Sequence, residues 1–276
     1  MDNQVGEEIG VHYQDTCLLS VARRIAAMLD IDPSTVYDGD PLPINWHFPL
    51  LAAQTRRRDL RLDGFPGLGV AMPDLGLPRL LLAGRTVSMR RALRIGGTVE
   101  RISAVQKIDR KDDARGQRAV VTIGHEIRGV DDADAAIVET QTYMLLPAGR
   151  HVVTASPPPI EVTADHVRKV TPDATLLFHY SALGFNSHRI HLDRDYARQE
   201  GFPDLVVNGG LTALLLTEMA RVDLGLKISS FSIKHSAPLF CDRPVTLAAT
   251  RNGEDWVFRA HDENGTVAAE SKLECA

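Results

Sequence analysis

The sequence predicts an α+β fold built from two copies of one unit, each an antiparallel sheet wrapped round an apolar helix. Three observations predict it. A helix-like segment followed by a block of strand-like segments occurs twice, a very apolar helix opens the second block, and Pro157, Pro158 and Pro159 stand between the two. The length of 276 residues fits two domains of about 130 to 150 residues.

Residues 15–29 open the first block, with Leu18, Val21, Ile25 and Leu29 at helical spacing and Arg23 and Arg24 off that stripe. Residues 86–93, 98–108, 118–127 and 136–146 read as strands. Gly96-Gly97, 112–116 and 131–134 punctuate them as turns. The second block repeats the order: a helix over 211–222, then strands over 228–235, 245–250, 255–260 and 266–274. The run Val87 to Ile95 lies over Phe231 to Leu239 in pattern, and Glu139-Thr-Gln-Thr lies over Glu270-Ser-Lys-Leu. Repetition on this scale implies a duplicated domain, although any two antiparallel sheets share an alternating pattern. The consecutive prolines lack amide donors and favour extended backbone. The expected division is an N-terminal domain over 1–154, a proline-rich linker over 155–160 and a catalytic C-terminal domain over 161–276.

Leu211, Leu214, Leu215, Leu216, Met219 and Val222 cover most of a helix circumference, so the sheet must enclose that helix. A twisted sheet round a central helix is the hot-dog arrangement. Two of them side by side, a double hot-dog, would leave a cleft at their interface.

Composition narrows the function. Hydrophobic residues at 44% suffice for a sizeable core. A net charge of -5, with no like-charge run longer than Arg56-Arg57-Arg58, argues against a nucleic-acid partner. Cys17, Cys241 and Cys275 lack metal-type spacing and suit free thiols in a reducing compartment. The acidic, polar N-terminal residues do not read as a signal peptide. No apolar stretch approaches the ~20 residues of a membrane span. The expectation is a soluble cytoplasmic protein without a membrane partner.

The chemistry concentrates in residues 178–197, between an extended run and a helix start at Asp193. His179, His188, His191 and Asn186 can hold or transfer protons. No carboxylate completes a zinc spacing with the histidines, so no metal is expected. Gly209 and Gly210 enter the enclosed helix, where a ligand can approach the backbone and unpaired amides suit a developing enolate. The pair also reads as a plain turn into that helix.

The run Tyr180-Ser-Ala-Leu-Gly-Phe-Asn-Ser-His-Arg-Ile-His-Leu-Asp-Arg-Asp-Tyr-Ala197, followed by Gly201-Phe-Pro-Asp-Leu-Val-Val-Asn-Gly-Gly210, resembles the MaoC-like hydratase/dehydratase superfamily. It is most similar to the two-domain branch of mesaconyl-CoA (3-methylfumaryl-CoA) hydratases, itaconyl-CoA hydratases and mitochondrial-type 3-hydroxyacyl-thioester dehydratases. Pro43-Ile-Asn-Trp-His-Phe48, Pro78-Arg-Leu-Leu-Leu-Ala-Gly-Arg85 and Phe231-Ser-Ile-Lys-His-Ser-Ala-Pro-Leu-Phe240 extend the resemblance over nearly the whole chain.

The resemblance implies a hydro-lyase acting reversibly on an enoyl-CoA or 3-hydroxyacyl-CoA, with a short branched or dicarboxylic acyl group such as mesaconyl as the leading expectation. CoA enters as part of the substrate, with no separate cofactor. Single-domain relatives use an Asp-x-Asn-Pro-x-His pattern. Aligning its histidine on His191 puts Asn186 where the aspartate would stand and His188 at the asparagine. His191 is then the main base, Asn186 orients water without exchanging protons, and His188 either assists or bonds the backbone. Gly209 and Gly210 would hold the thioester oxygen, and Asn208, which stands where the branch more often has histidine, bears on substrate range. Tyr180 belongs to the same implied binding set.

Arg189 reads either as a surface ion-pair partner or as a group near the CoA phosphates or a substrate carboxylate. Trp46 and Arg79 read either as acyl-pocket residues or as packing. The first domain has no counterpart of the histidine motif, so one active site per chain is expected, with the first domain accommodating the acyl group. A homodimer is compatible with this design and not required by it. Two other readings are a hot-dog acyl-CoA thioesterase and a non-catalytic acyl-CoA-binding protein.

Overall fold

The computed structural model describes residues 10–113, 116–149, 158–253 and 255–275. Its strands are β1 (Val11–Thr16), β2 (Arg79–Met89), β3 (Thr98–Asp113), β4 (Gly116–Gly129), β5 (Ile137–Leu146), β6 (His166–Val170), β7 (Ile228–His235), β8 (Val245–Asn252), β9 (Asp255–His261) and β10 (Val267–Cys275). The helices are α1 (Leu19–Met28), α2 (Ala174–Leu183), α3 (Arg194–Gln199) and α4 (Gly209–Glu218), the last running into a π-turn over Met219–Asp223. All ten strands join one antiparallel sheet, ordered β1-β3-β4-β5-β2-β7-β10-β9-β8-β6.

That order is one five-stranded pattern written twice, the second time reversed. The two halves meet where β2 pairs β7, and there Val87 lies opposite Phe231. These are the residues that the internal repeat equates, as required when two copies pair the same strand about a pseudo-twofold axis. The two expected sheets therefore run on into one. The expected boundary at 155–160 is largely unplaced, because 155–157 lie outside the described residues.

One detail of the repeat is corrected. Val87 pairs with Glu139, whereas Phe231 pairs with Leu273, so the counterpart of Glu139 is Leu273 and not Glu270. A slip by an odd number of residues turns side chains to the other face. Glu139 is accordingly buried, while Glu270 is half-buried and ion-paired to Arg259.

The helix expected over 15–29 starts only at Leu19, because Asp15 and Thr16 pair with Val99 and Thr98 in the sheet. It ends in a Schellman motif. Asp30 takes a left-handed φ of 58°, and the Ile31 and Asp30 amides donate to the Ala26 and Ala27 carbonyls. β2 begins at Arg79, earlier than expected at 86, since Leu80, Leu81 and Leu82 are apolar on both faces and show no alternation. A register shift between Leu82 and Gly84 bulges this strand. A side chain at Gly84 would press on the Ile233 carbonyl, so β2 and β7 approach this closely only with glycine there.

Every residue of α4 from Leu211 to Glu218 is buried, as an enclosed helix requires. Sequence reading did not foresee α2, which takes up 174–183, a stretch that includes the start of the motif segment. Asp173 caps it by accepting from the Leu176 amide at 2.7 Å.

Phe231, fully buried at the junction of the halves, makes a direct test of that seam. Phe231→Ala should cost about 3–5 kcal/mol in urea unfolding, with loss of the packing between the halves and of the fold in one transition.

Candidate active site

A cavity of about 460 Å³ opens between the two halves. The first half lines it with Phe48, Phe65, Leu80, Leu82, Arg85 and Tyr143, among others. The second supplies Tyr180, Asn186, His188, His191, Asn208, Gly209, Gly210 and His235. Of the sequence-predicted residues, His191, Asn186, His188, Gly209, Gly210, Asn208 and Tyr180 are thus brought together.

Local folding delivers them. α2 closes on a Schellman motif: Phe185 takes a φ of 47°, and the Asn186 and Phe185 amides donate to the Ser181 and Ala182 carbonyls. A left-handed conformation costs a residue with a side chain about 1–2 kcal/mol, and here it turns the chain so that Asn186 reaches the cavity. The Asn186 side-chain oxygen accepts from the His188 amide at 3.0 Å. That bond orients the amide and leaves its NH₂ as the free donor. The first half pins the same segment from below. The Arg189 amide donates to the Asp63 carbonyl at 2.8 Å, and the Ser187 hydroxyl to the Gly64 carbonyl at 2.7 Å.

His191 ends a 3-10 turn over Arg189–His191. Its Nδ1 lies 2.6 Å from the Val206 carbonyl oxygen. A carbonyl only accepts, so Nδ1 carries the proton and Nε2 holds the basic lone pair. Burial, and then His188, hold its pKa down at about 3, against a small upward pull from the Val206 bond. His188 stands edge-on to it at 5.5 Å between ring centroids. Burial lowers His188 to about 4, although Asp63 at 3.7 Å pulls the other way. Both imidazoles are neutral at physiological pH.

The N-terminus of α4 faces the same space. No side-chain cap satisfies it, so the Gly209, Gly210 and Leu211 amides lack intrahelical partners. The Asn208 NH₂ donates to the Ser181 hydroxyl at 3.3 Å, while its buried Oδ1 has no partner. A side chain at Gly210 would overlap the Tyr180 hydroxyl, so glycine here lets Tyr180 rest against the helix entrance. Tyr180 stacks on Phe48, ring centroids 4.4 Å apart, and burial pushes its hydroxyl up to about 12.

Three sequence-predicted residues lie outside the cavity lining, which fits the packing or surface alternative for each. Trp46 is buried away from the cavity, its indole N–H donating to Glu218 at 2.9 Å. Arg79 starts β2 half-exposed and does not line the cavity. Arg189 is exposed, ion-paired to Asp193 at 2.7 Å and stacked over Tyr196. Each follows from local packing that single-residue reading does not contain. Sequence reasoning missed Arg85, His125, Gln141, Tyr143 and His235. His125, Gln141, Tyr143 and His235 fall within expected strands, where a polar residue on the inner face was the signal that could have found them, whereas Arg85 precedes the strand expected over 86–93.

An enclosed helix with its amides aimed into an inter-unit cleft, beside a neutral histidine of fixed tautomer, defines a hot-dog hydratase/dehydratase site. The family model for hydroxyacyl-thioester dehydratase type 2 matches residues 45–241, and the chain belongs to that family of hydro-lyases. It is 36% identical to a mesaconyl-C(4)-CoA hydratase of Chloroflexus aurantiacus, over 94% of this chain and 92% of that protein. A mitochondrial hydroxyacyl-thioester dehydratase type 2 of Schizosaccharomyces pombe is 31% identical over 32% of this chain and 31% of that one. Among solved structures, a MaoC-like dehydratase from Phytophthora capsici shares the fold with a TM-score of 0.71 at 15% identity, covering 98% of this chain and 96% of that one. Among the described residues no helix is long and apolar enough to cross a membrane, and no cluster of three metal-ligating side chains occurs.

Two measurements test this geometry. Gly210→Ala should lower the melting temperature and the activity, and Tyr180→Phe in the same chain should restore stability by removing the overlapping hydroxyl. The four histidines that line the cavity, His125 and His191 buried and His188 and His235 partly buried, all have pKa values held at about 3 to 4, chiefly by desolvation. Unfolded histidines titrate near 6.5, so between pH 6.5 and 4 the unfolded chain binds protons that the folded chain refuses. Stability should therefore fall as pH drops through that window, by up to about 1.4 kcal/mol per pH unit for each histidine. Thermal melts from pH 7 to 4.5 would show the slope, and His125→Gln should flatten it.

Proposed function

We propose that this chain catalyses the reversible addition of water to an enoyl-CoA, with a short dicarboxylic thioester such as mesaconyl-CoA as substrate and His191 as its base. The observation that carries the reading is the His191–Val206 bond, which leaves Nε2 as an unprotonated base in the cavity wall.

In hydration, Nε2 takes a proton from water. The resulting hydroxide forms a C–O bond at the β-carbon, and the double-bond electrons move toward the thioester oxygen. The free amides at the start of α4 stabilise that developing charge, each such donor being worth roughly 10²-fold. The proton held on His191 then passes to the α-carbon, which completes the addition of one water. Asn186 holds the water by its NH₂ and cannot take a proton. His188, neutral and beside His191, keeps the second position of the wall without being needed as a proton carrier.

A base whose pKa is lowered by burial stays unprotonated well into acid, so the acid limb of kcat/KM should lie far below pH 6.5. The substrate preference for a dicarboxylic acyl group rests on the Chloroflexus relative. The reading includes a cytoplasmic setting, no metal or redox cofactor, and no partner beyond the acyl-CoA except a second copy in a homodimer. Domain roles follow the expected division: the C-terminal half catalyses, and the N-terminal half walls the acyl group.

A hot-dog thioesterase that attacks the ester with a carboxylate needs an acidic side chain in the cavity. Among the described residues no Asp or Glu lines the cavity, which favours hydration.

The deciding assay follows enoyl-thioester absorbance and free thiol together on mesaconyl-, itaconyl- and crotonyl-CoA. Bleaching without thiol release is the expected result. His191→Ala should cut kcat/KM by roughly 10²- to 10⁴-fold. Wild-type rates in that variant, or thiol release matching the bleaching, would overturn the mechanism.

A further inference from the structure

The floor of the cavity holds an arrangement that water addition does not use. Arg85 lines the cavity from β2 and is only 5% exposed. It is the only Arg or Lys among the residues lining the cavity. Its Nε and Nη2 donate to the two Glu139 oxygens at 2.9 Å each. No hydrogen bond among the described residues reaches Nη1. A buried arginine is costly unless its hydrogen bonds are met, and here one edge of the fork is clamped while the other is left open.

Glu139 does not depend on Arg85 alone. His47 Nε2 lies 2.7 Å from Oε2, and the Gln141 NH₂ donates to Oε1 at 2.7 Å. The Tyr143 hydroxyl in turn donates to the Gln141 oxygen at 2.5 Å. The sheet register explains the grouping. Arg85 lies opposite Gln141, and His125 opposite Glu139, so all four share the inner face. The chain of bonds holds the guanidinium plane in one orientation.

Two further polar atoms in the lining have no partner. Nε2 of His125 and Nε2 of His235 are both buried without a hydrogen bond. His125 Nδ1 lies 2.8 Å from the Ser103 hydroxyl. With that hydroxyl donating, the His125 proton sits on Nε2 and makes a second donor beside Arg85. Buried ring nitrogens without partners, in the same lining as an open guanidinium edge, call for a polar ligand, and the guanidinium selects a planar anionic acceptor.

We propose that Arg85, oriented by Glu139 and assisted by His125, binds the distal carboxylate of a dicarboxylic enoyl-CoA and so determines acyl specificity. This deepens the proposed function and rests on it. The carboxylate takes the open edge of Arg85, while the thioester end reaches His191 and the start of α4. A neutral acyl group of the same size would leave those donors unpaired, and a site built to bond a polar group discriminates strongly against an analogue lacking it.

The test compares mesaconyl-C4-CoA with 3-methylcrotonyl-CoA, in which a methyl group replaces the carboxylate. Its readout is the ratio of their kcat/KM values. Removing Arg85 alone would strand the Glu139 charge in the core, so the main variant is Arg85→Met with Glu139→Gln, checked for folding by circular dichroism. The ratio should fall about 10- to 100-fold, the span of a charge-assisted hydrogen bond. Arg85→Lys keeps a cation for Glu139 without the fork, and its ratio should fall by a smaller factor; this variant decides the matter if the double variant does not fold. An unchanged ratio in a folded variant overturns the assignment while leaving the substrate class intact. Wild-type enzyme that hydrates the neutral thioester and not the dicarboxylic one overturns both the substrate class and this role of Arg85.

Discussion

The pairing of β2 with β7 is the constraint on which the rest of the molecule depends. Each five-stranded half would otherwise present an open edge with unpaired amides and carbonyls, which invites association with other chains. By pairing, the two edges satisfy each other. The same pairing fixes where the halves face and so where the cavity opens. It also places β2, with Arg85, next to β7, with His235, so the junction strands supply cavity wall as well as structural continuity. Gly84 is the small concession that permits it, because a side chain there would meet the Ile233 carbonyl.

Within the cavity, backbone groups orient two of the lining side chains. The Val206 carbonyl fixes the His191 tautomer, and the His188 amide fixes the Asn186 amide. Neither adds a formal negative charge. The imidazoles consequently sit in a desolvated, nearly neutral surrounding that keeps them unprotonated. Among the described residues that line the cavity the one arginine is Arg85, paired with Glu139 behind it, and burial opposes ionisation of both. Glu139, its hydrogen bonds and the neighbouring tyrosines outweigh burial for Arg85, whose pKa is raised. Arg85 and His47 do so for Glu139, whose pKa is lowered.

Much of this was legible in the residues. α4 announced itself because leucine on all sides leaves no alternative to enclosure. The strands after it alternate cleanly, and 228–235 matches β7 as found. The histidine motif marked Asn186, His188 and His191, which line the cavity. What stayed hidden has physical reasons. Leu80 to Leu82 are apolar and half-buried on both faces and so lack the period that marks a strand, which concealed the start of β2 and left Arg85 outside any assigned element. α2 has no amphipathic stripe, and its polar His179 and Tyr180 masked a helix. The fate of Trp46 depended on Glu218, far away in sequence, which no local pattern encodes. Glu139 was matched to Glu270 by residue type, when the face it occupies was the better guide.

Fusion of the two halves on one chain has a consequence of its own. When separate subunits build such a cleft, its existence depends on protein concentration, and dilution empties the population of competent sites. Here the second half arrives tethered, and a short connection supplies an effective concentration in the millimolar range. The β2–β7 seam therefore forms as an intramolecular event, independent of how scarce the enzyme is. Each half is also released from serving as its own mirror image. Glu139 could become an ion-pair residue while its counterpart Leu273 stayed apolar, a divergence that identical subunits, sharing one sequence, cannot undergo.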